Sequence, residues 1–217
     1  FTTPEEIFGA VVGRQPRGSR RLALTAGATS LGAAALVAIN SFSANVTASV
    51  RAQARTLLGA DLELRSRSPF PDSIAALLDS VARAGVPVAR VTSFASMALA
   101  VRGGTARLVE VRAVERGFPY YGEVTTEPAG LWPALADAAT VLVDPALLVQ
   151  LDARVGDTLA LGDARFAIGG VVTGIPGDVG LRTAIGPRVF LPARHLAATN
   201  LLRFGSLAQY RAYLRLP

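Results

Sequence analysis

The stretch Leu22–Phe42, LALTAGATSLGAAALVAINSF, decides how this chain is organised, because none of its 21 residues is charged. A helix of that length spans about 32 Å, which matches the roughly 30 Å hydrocarbon core of a bilayer. Most of its side chains are small, and small residues let neighbouring helices approach closely in lipid. The stretch therefore predicts one transmembrane helix that packs against other helices.

Positive charge is concentrated just before this stretch, at Arg14, Arg17, Arg20 and Arg21. Because the positively charged side of a membrane helix stays in the cytoplasm, we expect the N-terminus to be cytoplasmic. Residues 1–18 are then a cytoplasmic segment, either a short interfacial helix or a poorly ordered tail. Everything after the helix is expected to lie in the periplasm or outside the cell.

A cleaved signal peptide is the alternative interpretation of the same stretch. Ser19-Arg20-Arg21 suits a twin-arginine export signal, and Val46-Thr47-Ala48 resembles a cleavage site with small residues. Cleavage there would release an exported soluble binding domain. The uncharged stretch is longer than the usual signal core of about 7–15 residues, which favours the membrane anchor.

The helix is predicted to continue beyond the membrane as a stalk. Apolar residues recur three and four positions apart from Val46 to Leu57, and Gly59 supplies a helix stop. Residues 19–58 would then form a single helix about 60 Å long. Residues 59–217 are left to form an extracytoplasmic domain.

The extracytoplasmic domain is predicted to mix strands and helices, which is typical of the α+β class. Gly103-Gly104 and Gly162-Asp163 are expected to form the turns of two hairpins. The pattern predicts strands at 60–65, 88–101, 107–114, 140–143, 158–161, 165–172, 188–191 and 209–216, and helices at 72–84, 145–151 and 192–198.

Two of these elements have an amphipathic pattern. In the first strand, Leu62 and Leu64 share one face, and the charged residues occupy the other. The helix at 72–84 has a single apolar stripe. Its members are Ile74, Leu77, Leu78 and Val81.

Composition excludes several classes of function. All 22 basic residues are Arg, and they are spread along the chain, so the net charge of +6 does not predict nucleic-acid binding. The absence of Cys excludes disulfides and thiolate metal sites, and the absence of Lys excludes a P-loop and Schiff-base chemistry. His195 is the single histidine, so a multi-histidine metal site is impossible. We expect no catalytic residue, no cofactor and no metal, and therefore no enzyme.

Two further features have structural explanations. His195 follows Pro192 and is expected to lie on the surface, although a triad with a Ser and an Asp is conceivable. The regularly spaced Gly174, Gly177 and Gly180 lack the strand-to-helix pattern of a phosphate-binding loop, so they predict a flexible loop.

Three aspartates at strand edges and turns are expected to accept backbone N–H groups rather than to act as paired catalytic acids. They are Asp61, Asp144 and Asp157.

The loop at 118–122 is the candidate binding surface. Phe118, Tyr120 and Tyr121 lie close together in it, and aromatic side chains on loops suit contact with a partner or ligand. The alternative is that Phe118 and Tyr120 pack into the core of the domain.

From about Arg20 to Pro217 the chain resembles the N-terminal portion of an FtsX/MacB-type ABC transporter permease. Residues 1–18 do not clearly match. The stretches that carry the resemblance are LLGADL at 57–62, VRAV at 111–114, FPYYGE at 118–123, VLVD at 141–144, VGDTL at 155–159 and PRVFLP at 187–192.

The resemblance implies a permease subunit of the bacterial inner membrane that carries a MacB-like periplasmic core domain. A separate cytoplasmic ABC ATPase would hydrolyse ATP, and the permease would form a homodimer or heterodimer in the lipid bilayer. It would couple hydrolysis to export or mechanotransmission outside the cytoplasm. Such permeases carry three more membrane helices after this domain, so we expect the chain to be truncated at its C-terminus. The resemblance does not identify a transported substrate.

Overall fold

The computed structural model describes residues 37, 38, 40–42, 45, 46, 49, 55, 58–176, 186–202 and 206–216. The chain divides into two units, Phe1–Ala52 and Gln53–Pro217. Within the first unit the described residues are helical and exposed. The cytoplasmic segment at 1–18 and most of the predicted membrane helix lie outside the described residues. Among those described, no helix is long and apolar enough to cross a membrane.

The described part of the second unit contains strands, helices and 3-10 turns in mixed order. The strands are β1 (Leu62–Ser66), β2 (Val88–Ala100), β3 (Ala106–Val114), β4 (Thr125–Glu127), β5 (Thr140–Val143), β6 (Thr158–Leu161), β7 (Ala164–Gly174), β8 (Arg188–Pro192) and β9 (Ala208–Leu214). The helices are α1 (Asp72–Arg83), α2 (Leu131–Leu135) and α3 (Pro145–Leu151), with 3-10 turns at Ala193–His195 and Ala197–Thr199. The α+β prediction is confirmed.

Six of the strands close into a small barrel, and the long strand β2 is one of them. One edge of β2 pairs with β3, while the other pairs with β9 along 88–94 and with β6 along 98–100. The circuit continues from β3 to β8, β5, β7 and back to β6. β1 and β9 extend the sheet beyond β2, and β4 adds to β7.

The barrel interior is a continuous apolar core. Phe94 and Val111 come from the β2–β3 hairpin, and Phe166 and Ile168 come from β7. α3 adds Leu147 and Leu151 to this core, and both side chains are fully buried. Burial of such side chains contributes about 1.5–3 kcal/mol each relative to exposure, which makes this core the main support of the domain.

Two smaller apolar clusters cover the outside of the sheet. α1 packs with Leu78 against Ala212 and Leu214 of β9. Elsewhere, α2 and the loop at 118–122 lie over Val91, Phe190 and their neighbours. The aromatic loop is thus part of the wall of the domain.

Many predicted boundaries agree with the structure to within two residues. β5, α3 and β6 have the predicted limits, and the hairpins turn at Gly103-Gly104 and Gly162-Asp163 as expected. The predicted helix at 192–198 was wrong, since this segment forms two 3-10 turns that are interrupted at Leu196. β4 and α2 were not predicted.

Two leucines on the predicted apolar faces of α1 and β1 are exposed. Leu77 is 57% exposed on α1, and Leu78 is the residue of this short helix that is fully buried. Leu62 is 45% exposed on the edge strand β1, whereas the Glu63 side chain beside it is only 8% exposed. Arg65 and Arg211 both pair with Glu63, and such pairing is the condition under which a carboxylate is buried.

Candidate functional site

The junction between helix and outer domain is built around Gly59. Its φ of +71° is a left-handed conformation that glycine adopts without strain, and its N–H donates to the Arg55 carbonyl oxygen at 2.8 Å. A Cβ at this position would lie 2.9 Å from the Cβ of Pro119. The residue must therefore be small because the aromatic loop lies directly against it.

The aromatic loop binds this junction through its backbone. The Gly59 carbonyl oxygen accepts hydrogen bonds from the N–H of Tyr120 at 2.7 Å and from that of Tyr121 at 3.3 Å. A carbonyl at the end of a helix has no partner within the helix, so an external donor is required. The loop supplies two such donors.

Asp61, which immediately precedes β1, brings three separate segments together. Its Oδ2 accepts hydrogen bonds from the Tyr121 hydroxyl at 2.6 Å and from the Leu216 N–H at 2.9 Å. Its Oδ1 lies 2.8 Å from Arg55 Nε, in an ion pair whose geometry is not that of an aligned hydrogen bond. The Asp61 side chain is only 5% exposed. We refer to Arg55, Asp61, Tyr121 and Leu216 as the Asp61 cluster.

The electrostatics of the cluster favour an ionised carboxylate. The hydrogen bond from Tyr121 is the main reason why the pKa of Asp61 is lowered, and the same hydrogen bond raises the pKa of Tyr121. The guanidinium carbons of Arg55 and Arg215 lie 5.7 and 5.9 Å from the centre of the Tyr121 ring, within cation–π range. At neutral pH the cluster therefore holds a charged carboxylate and a neutral phenol.

The other two predicted surface residues are half-buried. The Phe118 ring lies 4.5 Å from that of Tyr213, and its carbonyl oxygen accepts a 2.8 Å hydrogen bond from Trp132 Nε1. Tyr120 packs against the same outer cluster, and burial raises its pKa to about 12. Phe118 and Tyr120 thus make core contacts, and a role of this loop in partner binding stays a prediction.

A groove of about 300 Å³ separates the aromatic loop from α2. Phe118 and Pro119 line one side, and Trp132 and Pro133 line the other. Arg116, which also lines it, forms an ion pair with Asp137. This groove is the concave surface that the predicted binding loop offers.

The expected backbone contacts of all three aspartates are confirmed. Asp61 accepts from Leu216 N, as described above. Asp144 Oδ1 accepts from the Ala146 N–H at 3.1 Å and so caps α3, and Asp157 Oδ2 accepts from the Arg154 N–H at 2.8 Å. The donors to Asp144 and Asp157 lie at the start of α3 and beside a turn, whereas the donor to Asp61 follows the end of β9.

No catalytic arrangement surrounds His195 among the contacts of the described residues. It lies in a 3-10 turn, half-buried, with its ring 5.9 Å from that of Phe166. Its Nε2 accepts a 3.1 Å hydrogen bond from Arg194 Nε. In the part of the chain that the structure covers, no group of three His, Asp or Glu side chains is placed to hold a metal ion. Gly177 and Gly180 lie outside the described residues.

Two ion pairs on the sheet were not predicted from the sequence. Arg65 Nε lies 2.8 Å from Glu63 Oε1, and Arg112 Nε lies 3.0 Å from Glu110 Oε1. The two members of each pair are two positions apart in a strand, so both lie on the same face of the sheet. That spacing of opposite charges was the available signal.

Residues 22–215 match the family described as the MacB-like periplasmic core domain. The chain belongs to this family. A curated relative, the uncharacterized ABC transporter permease YbbP of Escherichia coli (strain K12), is 32% identical over 185 residues, or 85% of the present chain. The chain spans only 22% of the length of that permease. The resemblance to an FtsX/MacB-type permease is thereby confirmed.

Two solved structures are also similar. One is a domain of a putative permease protein from Porphyromonas gingivalis, with a TM-score of 0.43 and 19% identity, covering 63% of this chain and 66% of that one. The other is the periplasmic region of MacB from Actinobacillus actinomycetemcomitans, with a TM-score of 0.45 and 10% identity, covering 73% and 78% of the two chains.

Family membership bears on the two interpretations of the N-terminal stretch. The match begins at residue 22, so the family domain includes residues that cleavage after Ala48 would remove. The comparisons therefore give no support to the released soluble binding domain. The described domain is a MacB-like periplasmic core domain of the ABC transporter permease family.

Proposed function

We propose that this chain is the N-terminal portion of a permease subunit in an FtsX/MacB-type ABC transporter. Its partner in the cytoplasm is a separate ABC ATPase, and the chain itself is not an enzyme. The absence of Lys supports this division, because a P-loop requires a lysine to reach the β and γ phosphates. Export or mechanotransmission outside the cytoplasm is the output of the complex.

One observation carries the proposal: the two ends of the core domain lie side by side. β1 and β9 pair antiparallel, with Leu62 opposite Leu214. Just before β1, the Asp61 N–H donates to the Leu214 carbonyl oxygen at 3.0 Å. A domain whose ends are adjacent can be inserted between two membrane helices without disturbing either. This geometry supports a second membrane segment that follows the core domain in the longer permease.

We propose residues 19–58 as the membrane helix and stalk, with the N-terminus in the cytoplasm of a bacterial cell and the core domain in the periplasm. The uncharged stretch Leu22–Phe42 and the arginines before it support this orientation. The permease would act as a homodimer or heterodimer in the inner membrane. The groove between the aromatic loop and α2 is the proposed contact surface for a partner or ligand.

Hydrogen exchange in the complete permease tests this function. The permease and its ATPase are assembled in nanodiscs, and exchange is compared between the nucleotide-free and ATP-trapped states. We expect residues 58–216 to change exchange when ATP is trapped. No nucleotide-dependent change in the wild-type core domain would overturn the proposal.

Ala52→Pro tests whether the stalk transmits motion. Proline in a helix interior removes a hydrogen bond and costs about 3 kcal/mol or more, whereas Ala52→Ser keeps the backbone N–H. We expect the Pro variant to assemble and hydrolyse ATP but to lose the response of the core domain. The Ser variant should keep that response. A full response in the Pro variant would mean that the stalk is a passive tether.

A further inference from the structure

We propose that Asp61 is the positioning residue that fixes three segments to one another. They are the incoming helix, which carries Arg55 and ends at Gly59, the outgoing segment Arg215–Leu216, and the aromatic loop at 118–122. The inference rests on the proposed function and names the point at which both membrane-side connections are held to the core domain. It assigns Tyr121 a positioning role in the transporter in addition to any contact with a partner.

The Asp61 carboxylate contacts three distant parts of the chain. Tyr121 is 60 positions from Asp61, and Leu216 is 155 positions away. Arg55 precedes Gly59, where the described helix ends. A carboxylate that only accepted a backbone N–H close to it in sequence would have no partner at these three positions.

The contacts of the Asp61 carboxylate are short and shielded from water. Hydrogen bonds to an ionised acceptor are shorter and stronger than neutral ones, and the 2.6 Å bond from Tyr121 is of this kind. The 5% exposure of Asp61 means that water cannot readily replace the three partners. Loss of the carboxylate should therefore loosen all three segments together.

Backbone hydrogen bonds hold the loop and the outgoing segment at further points. The Gly59 carbonyl accepts from the same loop that carries the Tyr121 hydroxyl, and Arg215 N donates to the Pro87 carbonyl oxygen at 3.1 Å. The loop is thus also bound at Gly59, and the outgoing segment is also bound at Pro87. Asp61 lies where the three segments meet, and we call this meeting point the joint.

The joint is tested by hydrogen exchange of the complete chain in nanodiscs. In Asp61→Asn we expect exchange at Gly59–Asp61, Tyr120–Tyr121 and Leu216 to become at least tenfold faster. The matched control is Asp144→Asn, which removes a capping carboxylate from α3 and should leave these three regions unchanged. Faster exchange at only one region would overturn the three-way role.

Leu216→Pro removes one donor without touching the carboxylate. Proline has no N–H, so the hydrogen bond to Oδ2 is lost, while Leu216→Ala keeps it. If the contacts form one unit, the Pro variant also speeds exchange at Tyr120–Tyr121, and the Ala variant does not. An effect confined to the outgoing segment would contradict the proposal.

The final comparison separates this inference from the proposed function. In the complex with its ATPase, Asp61→Asn should keep ATP hydrolysis and lose about 90%, roughly a tenfold reduction, of the nucleotide-dependent exchange change in the core domain. If the variant keeps the wild-type response, the role of Asp61 is wrong although the proposed function stands. If the wild-type complex shows no response, the proposed function itself fails, whatever the exchange of the isolated chain shows.

Discussion

The indole N–H of Trp132 donates a 2.8 Å hydrogen bond to the carbonyl oxygen of Phe118, and this bond connects α2 to the aromatic loop. The Trp132 ring also packs edge-on against Phe190, with 5.3 Å between ring centres. The position of the loop therefore depends on a side chain from a five-residue helix. Trp132 is the single tryptophan of the chain, so tryptophan fluorescence reports the surroundings of this one ring.

Trp132→Phe is expected to destabilise the core domain by about 1–3 kcal/mol. The part-buried carbonyl of Phe118 loses its partner, and an acceptor left unsatisfied costs up to about this much. The measurement is urea unfolding followed by circular dichroism, because the fluorescent probe is removed with the side chain. A free energy of unfolding equal to that of the wild type would show that water replaces the indole N–H.

The core domain is expected to fold without the N-terminal stretch that is proposed as the membrane segment. Residues 60–217 retain all nine strands of the described structure and the apolar barrel core. Circular dichroism of this fragment should show a mixed α+β spectrum, and the fragment should be monomeric or weakly dimeric. The fragment 53–217 restores Arg55 and Gly59 and should melt at a higher temperature. An unfolded spectrum for both fragments would contradict this prediction.

Gly162→Ala should be strongly destabilising. Gly162 has φ +57°, and a Cβ there would overlap the carbonyl oxygen of Thr199. Strain in the left-handed region and overpacking each cost about 1–3 kcal/mol, so we expect a loss of about 2–5 kcal/mol. Gly156→Ala is the control, because its φ is +95° but no atom lies within 4 Å of the added Cβ. Equal effects of the two changes on thermal unfolding would argue against the steric contact.

Local sequence patterns predicted the elements that depend on neighbouring residues. The Asp144-Pro145 start of α3 was recognisable because an Asp cap and a following Pro are both local signals. α2 was missed because five residues are too short to show a helical period, and Pro133 interrupts them. β4, with three residues, gave no alternating pattern for the same reason.

The barrel and the Asp61 cluster depend on long-range contacts that periodicity does not report. β2 reads as one continuous strand, yet its edge changes partner from β9 to β6 between Phe94 and Ala98. Asp61 was predicted to accept a backbone N–H, but its partners Tyr121 and Leu216 were not identifiable. Phe118, Tyr120 and Tyr121 were chosen as aromatic side chains on a loop, which does not reveal that this loop packs on Gly59.

Leu151→Ala should test the contribution of α3 to the barrel core. Leu151 is 0% exposed, and replacement of a buried leucine by alanine costs about 2–5 kcal/mol through lost transfer energy and the cavity that remains. Val149→Ala on the same helix is the control, since Val149 is 83% exposed and should change stability by about 0.5 kcal/mol or less. Urea unfolding gives both values, and similar losses would place α3 outside the core.

The last prediction concerns alkaline pH. Burial, followed by the nearby negative charge of Glu115, raises the pKa of Tyr120 from 10.0 to about 12. Below pH 10 the phenol is protonated in both the folded and the unfolded chain, so its contribution to stability is fully present. Between pH 10 and about 12 the unfolded chain loses the proton first, so the free energy of unfolding should fall as pH rises.

Tyr120→Phe keeps the ring and removes the titrating hydroxyl, so it should reduce the slope of stability against pH in this window. A smaller slope should remain, because the pKa values of Tyr121 and Tyr213 are also raised, by the hydrogen bond to Asp61 and by burial respectively. Urea unfolding of the fragment 53–217 at intervals from pH 9 to about 12 measures both slopes. Identical slopes for the two proteins would show that Tyr120 titrates normally and that solvent reaches its hydroxyl.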